Sequence, residues 1–306
     1  WVGDGQAATI IRAAAAAPAL SYTGLSEWPG NRYTGLTVET HPGSGEAIVW
    51  DVGPAWFTDC DLNGLLSGGF DSDLTLEYCT AEHVFARAWH TSLVAHSTVT
   101  NLELWGQYVS SGGTDVWMSN SVTVEDSHVS SVHLVGSYLD ATDSEIGPVS
   151  RSLHSGVSGA RTSFGPLTVG SMEVDLDECE VSGDLLMEGE LGDSWVGPGI
   201  LRLSRTVIDG RIGVDLFMHA LDPFPGGIMM SHCTVGGELS YEMSGWFVTD
   251  PDLIWPWRIR SNIFSGEVAL SDDPALDWAV VTHNDFAGGY TVPPADSVFA
   301  NITSDP

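Results

Sequence analysis

LDECEVSGDL (residues 176–185) and MSHCTVGGEL (230–239) are two copies of one pattern. In each, a cysteine is followed by an apolar residue two positions later, glycine four later and leucine six later. Self-similarity of this kind decides an architecture before any single motif does. Walking the template along the chain finds eleven copies, whose small polar or cysteine position is Cys60, Cys79, Ser97, Ser127, Ser144, Thr162, Cys179, Thr206, Cys233, Asn262 and Asn284. Position +2 is always apolar, as in Val181, Ile208 and Val235. Positions −3 and −5 are each apolar in ten of the eleven copies, with Gly159 and Ser92 the exceptions. Glycine fills position +4 in Gly64, Gly183, Gly210, Gly237, Gly266 and Gly288. Successive copies lie 17–30 residues apart.

Apolar residues at −5 and −3 make one short strand with an inward face, and those at +2 and +6 make a second. The small polar residue between them marks a bend. Such strands cannot bury an inner face alone, but stacked copies join into one core. Equivalent residues then lie about 4.8 Å apart in successive coils. The polar column becomes a ladder in which neighbours satisfy one another's hydrogen bonds. A β-sandwich, the alternative, needs hairpin turns every 8–12 residues or so, and this repeat is too long. The left-handed solenoid repeats by hexapeptides, which are absent. The pattern therefore predicts an all-β chain, a right-handed parallel β-helix of about eleven coils.

The chain resembles the right-handed parallel β-helix repeat proteins of the pectate-lyase-like superfamily. The likeness rests on the repeat over residues 55–290, on the opening GDGQAATIIRAAAAAPA (3–19), and on the closing HNDFAGGY (283–290) with FANITSDP (299–306). By this resemblance residues 1–54 hold a short N-terminal capping helix and the first coils, and 291–306 form the C-terminal ending. The helix has a local rationale: Ala7–Ala17 is alanine-rich, carries Ile10 and Ile11, and stops before Pro18. The ending suggests a domain trimmed from something longer. The resemblance points to fold rather than activity, because one fold hosts many functions.

Forty-one Asp and Glu stand against ten Lys plus Arg, a net charge of −31, and the ten are all arginines. Such a surface repels polyanions, which excludes nucleic acid as a partner. No apolar run approaches the roughly 18 residues of a membrane span. The four cysteines show no zinc-type spacing. Cys60 and Cys79 fall on adjacent coils, within disulfide reach, whereas Cys179 and Cys233 have the Thr206 coil between them and stay free.

Four stretches between coils are long: 104–121, 186–200, 213–227 and 240–256. All leave the repeat at the same place, so they are expected on one side. Long loops on a rigid scaffold are where function concentrates. Aromatics that could stack on sugar rings are Trp105, Tyr108, Trp117, Trp195, Trp246 and Trp255. Carboxylates that could supply hard oxygen ligands to calcium are Glu188, Glu190, Asp193, Asp215, Asp222, Asp250 and Asp252. No catalytic residues stand out. Asp272-Asp273 precedes Pro274 and reads as a turn, and Arg258 and Arg260 read as neutralising acidic neighbours. The expectation is a secreted or cell-surface, non-catalytic β-helix for adhesion, glycan contact or extracellular structural assembly. It requires no cofactor, with calcium as an optional ligand, and its partners are a polysaccharide, a cell-surface partner or further copies of itself. The alternative is a polysaccharide lyase or glycoside hydrolase working on the long-loop side.

Overall fold

The computed structural model describes residues 9–12, 18–22, 31–40, 46–50, 53–68, 73–87, 91–111, 114–118, 120–151, 155–170, 173–191, 200–218, 227–245, 258–270, 280–291 and 297–302. All their regular structure is β-strand, and there is no helix among them. The chain forms two compact units, Trp1–Gly147 and Pro148–Pro306.

In the unit Pro148–Pro306 a coil consists of three strands. Around Cys179 they are Glu173–Asp177, Glu180–Val181 and Leu185–Leu191. The next coils repeat them as Ile200–Ser204, Val207–Ile208 and Ile212–Met218, then Gly227–Ser231, Thr234–Val235 and Leu239–Gly245. Equivalent strands pair in parallel and in the register the repeat requires. Leu176 lies over Leu203, Met230 and Ile259. Val181 lies over Ile208, Val235, Phe264 and Phe286. Leu185 lies over Ile212, Leu239 and Val268. All of these are buried. Each such side chain contributes roughly 1.5–3 kcal/mol by leaving water, and like residues stack, as Phe264 on Phe286 at 5.3 Å. Gly159, the exception at −3, leaves room for the ring of Phe164, which a Cβ would approach to 2.7 Å. These stacked parallel strands fit a β-helix.

The unit Trp1–Gly147 is built alike. Asn31–Thr34, Ala55–Thr58, Leu74–Glu77, Thr91–Ala95, Asn120–Glu125 and Ser137–Thr142 pair in parallel in that order. Thr37–Glu39, Asp61–Gly68, Thr80–Ala86, Thr98–Trp105 and His128–Val135 form the facing series. Ile10–Arg12, expected inside a capping helix, is instead a strand paired with Thr37–Glu39. A free strand edge and two β-branched isoleucines outweigh local alanine propensity there. Most of the remaining Ala7–Ala17 stretch lies outside the described residues.

The bend has a backbone signature that periodicity alone does not give. Every described non-glycine residue with positive φ sits immediately before a ladder position: Asp59, Tyr78, His96, Asp126, Asp143, Arg161, Glu178, Arg205, His232, Ser261, His283 and Ala300, with φ of 46–58°. One left-handed residue turns the chain from one strand to the next, and each costs on the order of 1 kcal/mol. A β-branched side chain fits this conformation worst. His232→Val should therefore destabilise by about 1–2 kcal/mol in urea unfolding, while His232→Gly stays within about 0.5 kcal/mol of wild type or exceeds it.

Inside the bend the ladder residues bond along the stack, and the cysteine rungs donate to the carbonyl two residues back. At the serine and asparagine rungs the side chain accepts the backbone N–H of the rung before it. Ser97 Oγ accepts from Cys79 N at 3.0 Å, Ser127 Oγ from Ser97 N at 2.9 Å, and Ser144 Oγ from Ser127 N at 3.1 Å. In the second unit Asn262 Oδ1 accepts from Cys233 N at 2.8 Å and Asn284 Oδ1 from Asn262 N at 3.0 Å. Asn301 continues the series by accepting from Asn284 N at 2.9 Å.

Candidate functional site

The strands before the bend turn alternate residues outward. In the second unit their register sets Asp175, Arg202, Met229, Arg258 and Val280 in one outward column. Asp177, Ser204, Ser231, Arg260 and Thr282 form the column beside it. Between them lies an open groove of about 310 Å³, lined by Asp175, Arg202, Ser204, Met229, Ser231, Arg258 and Arg260 and floored by Leu203 and Met230.

The two ends of the groove differ electrically. Arg202 is tied down at one end by Glu173 and, at 3.6 Å, by Asp175. Arg205, at the neighbouring bend, binds Asp177 through two nitrogens and Glu178 at 2.8 Å. Its hydrogen bond holds the Asp177 carboxyl below the usual carboxylate range. At the other end Arg258 and Arg260 are exposed, and neither has an ion-pair partner among the described residues. They share one strand, Arg258–Arg260, and point the same way about 6.6 Å apart. Reading them as neutralising acidic neighbours is thus not what the described residues show. In a chain with 41 carboxylates, two same-facing guanidiniums with none paired to them among the described residues are the local anomaly. The signal was present in positions −4 and −2 of the repeat, which the apolar columns overshadow.

The expected site residues fall in separate places. Trp105 is exposed at the end of Thr98–Trp105. Its Nε1 donates to Glu103 at 2.6 Å, its ring meets Phe85 edge-on at 5.8 Å, and Arg87 lies 5.4 Å over it. Tyr108 and Trp117 are register partners in an antiparallel strand pair, Gln107–Ser111 with Thr114–Met118. The stretch 104–121 is therefore strand at both ends rather than open loop. Trp195, Trp246 and Trp255 lie outside the described residues, as do Asp193, Asp222, Asp250 and Asp252.

The strands Leu185–Leu191, Ile212–Met218 and Leu239–Gly245 run well into stretches expected as loops. Their register brings Glu188, Asp215 and Glu242 into one outward column, with Glu190 paired to Phe217. Glu188 meets Arg151 at 3.5 Å. Among the described residues no three metal-capable side chains converge.

All four cysteines are buried free thiols. Cys60 and Cys79 occupy neighbouring rungs, each bonding a carbonyl two residues back at 3.3 Å. Their mutual hydrogen bond pulls the Cys60 thiol down and pushes Cys79 up. The Thr206 rung separates Cys179 from Cys233, and burial raises both thiols. Comparison with protein-family models, with curated proteins and with solved structures finds no match.

Proposed function

We propose that this protein is a secreted or cell-surface right-handed β-helix of the pectate-lyase-like kind that binds rather than turns over its partner, in adhesion, glycan contact or extracellular assembly. The observation that supports this reading is the open groove on the outer strand face, lined by Arg202, Arg258 and Arg260 in a molecule otherwise dominated by carboxylates. A rigid stack of parallel strands holds those side chains at fixed spacing, which suits recognition of a defined chemical group. The exposed Trp105 edge adds a surface on which a sugar ring can stack.

A second reading, a polysaccharide lyase or hydrolase, draws on the outward column Glu188–Asp215–Glu242, which leads toward the long stretches. Calcium stays an optional ligand on either reading, with Glu188 and Asp215 as candidate carboxylates. One experiment separates the two. The protein is incubated with a panel of acidic and neutral polysaccharides, and both retention and released product are measured. Binding without product supports a scaffold. Product formation that is lost in Glu188→Gln or Asp215→Asn replaces it with the enzyme.

A further inference from the structure

We infer that the groove between Arg202 and Arg260 takes a small amphipathic anion, one carboxylate, sulfate or phosphate group carried on an apolar or ring-shaped body. This rests on the scaffold reading and names the chemical class that the groove would hold.

The anionic head is assigned by Arg258 and Arg260. They lie on one strand, face outward together and have no carboxylate partner among the described residues. Two arginine side chains that leave one strand from backbone positions about 6.6 Å apart can bring their guanidiniums onto one tetrahedral or planar oxyanion with charge-assisted hydrogen bonds. The body is assigned by the next position in the same column. Met229 sits between Arg258 and Arg202 in register, half-buried, and the floor beneath is Leu203 and Met230. A methionine there offers a deformable apolar surface, and the stems of the two arginines extend it. Ser204 and Ser231 add hydroxyls along one wall. Arg202 is already neutralised by Glu173 and Asp175, so that end does not call for a second charge.

Size and charge narrow the ligand further. A volume of about 310 Å³ is at the small end of ligand sites. A long polyanion would meet the field of a chain with net charge −31. A small anion feels mainly the charges within a Debye length of about 8 Å at physiological salt, and at the Arg258–Arg260 end of the groove the lining supplies the two arginines, while Asp175 lies at the Arg202 end.

The test uses the full chain with ¹³C-methyl methionine, the Met229 resonance being assigned by Met229→Leu. The probes are hexanoate, hexanesulfonate and phenyl phosphate, with 1-hexanol and inorganic sulfate as controls. The expected result is a saturable Met229 shift with the three anionic amphiphiles. Binding weakens at least tenfold in the Arg258→Gln/Arg260→Gln protein and recovers in part in Arg258→Lys/Arg260→Lys. No Met229 shift, or an equal response to hexanol or to sulfate alone, overturns the assignment, as does unchanged binding in the Gln variant. Polysaccharide retained without product by the Gln variant and by wild type alike would leave the scaffold reading intact while removing the groove. Turnover with an intact Met229 response would do the reverse.

Discussion

Gly266→Ala should cost more than about 3 kcal/mol, among the largest effects of any single methyl added to this protein. Position +4 of the repeat is a column in which Gly210, Gly237, Gly266 and Gly288 follow one another. A Cβ at Gly266 would fall 2.3 Å from both the carbonyl carbon and oxygen of Gly237 and 2.6 Å from Glu238 N. A Cβ at Gly288 would meet Gly266 in the same way, its carbonyl carbon at 2.3 Å and oxygen at 2.5 Å. The obstacle is backbone, so no rotamer change relieves it. Nor can the coils part cheaply, because Ser265 N donates to Val235 O and Leu239 N to Glu267 O, both at 2.9 Å, on either side of the contact. Gly213→Ala is the control. Its Cβ would meet only side-chain tips, Leu186 at 3.1 Å and Ser240 Oγ at 3.8 Å, and should change stability by less than about 1 kcal/mol. Urea unfolding with unchanged m reads both values. Equal effects from the two substitutions would mean that the coils are not in contact at this column.

That column was visible in the sequence as a recurring glycine, though its reason was not. Glycine near a bend suggests a left-handed backbone, yet what position +4 of the second unit shares is close approach between coils. The inward positions were legible because burial enforces them copy after copy: Val181, Ile208 and Val235 could be aligned with no structure at all. Even the exceptions stayed inside, Gly159 beside Phe164 and Ser92 at 2% exposure. The groove was harder to see. Arg202, Met229 and Arg258 face water, where no packing rule makes neighbours alike, and each looks ordinary until the register joins them. The starts of the long stretches hide their strands for a related reason. Glu188, Asp215 and Glu242 look like loop residues by type, but they alternate with buried Met187, Val214 and Tyr241 and so continue strands. At the N-terminus an alanine run suggested a helix, and the pairing of Ile10–Arg12 with Thr37–Glu39 lies 27 residues away along the chain, beyond any local signal.

Asn284→Leu should destabilise by about 3–5 kcal/mol despite similar volume and an apolar surrounding. The side chain is 1% exposed and each of its polar atoms is engaged. Oδ1 accepts from Asn262 N and from Asn262 Nδ2, both at 3.0 Å. Nδ2 donates to Ile259 O at 2.9 Å and to Asn301 Oδ1 at 3.0 Å. Leucine leaves the Asn262 amide hydrogen and the Ile259 carbonyl without these partners, and each buried orphan costs roughly 1–3 kcal/mol. Asn284→Asp sharpens the argument, because it keeps the acceptor and replaces only the donor. The new oxygen would face two others, Ile259 O and Asn301 Oδ1, so the carboxylate is opposed both by burial and by its neighbours. Its folded-state pKa must then rise above the unfolded value of about 3.9. A raised carboxyl binds its proton more tightly in the folded state, so stability relative to wild type is greatest below the unfolded pKa. It is lost as pH climbs through the folded pKa. The Asn284→Asp protein should therefore approach wild-type stability near the acid end of its folding range and fall behind by several kcal/mol at neutral pH, whereas the Asn284→Leu protein shows no such recovery. Parallel pH dependence of the two variants in urea unfolding would show that the donors of the ladder are dispensable and that its shape alone is what the fold requires.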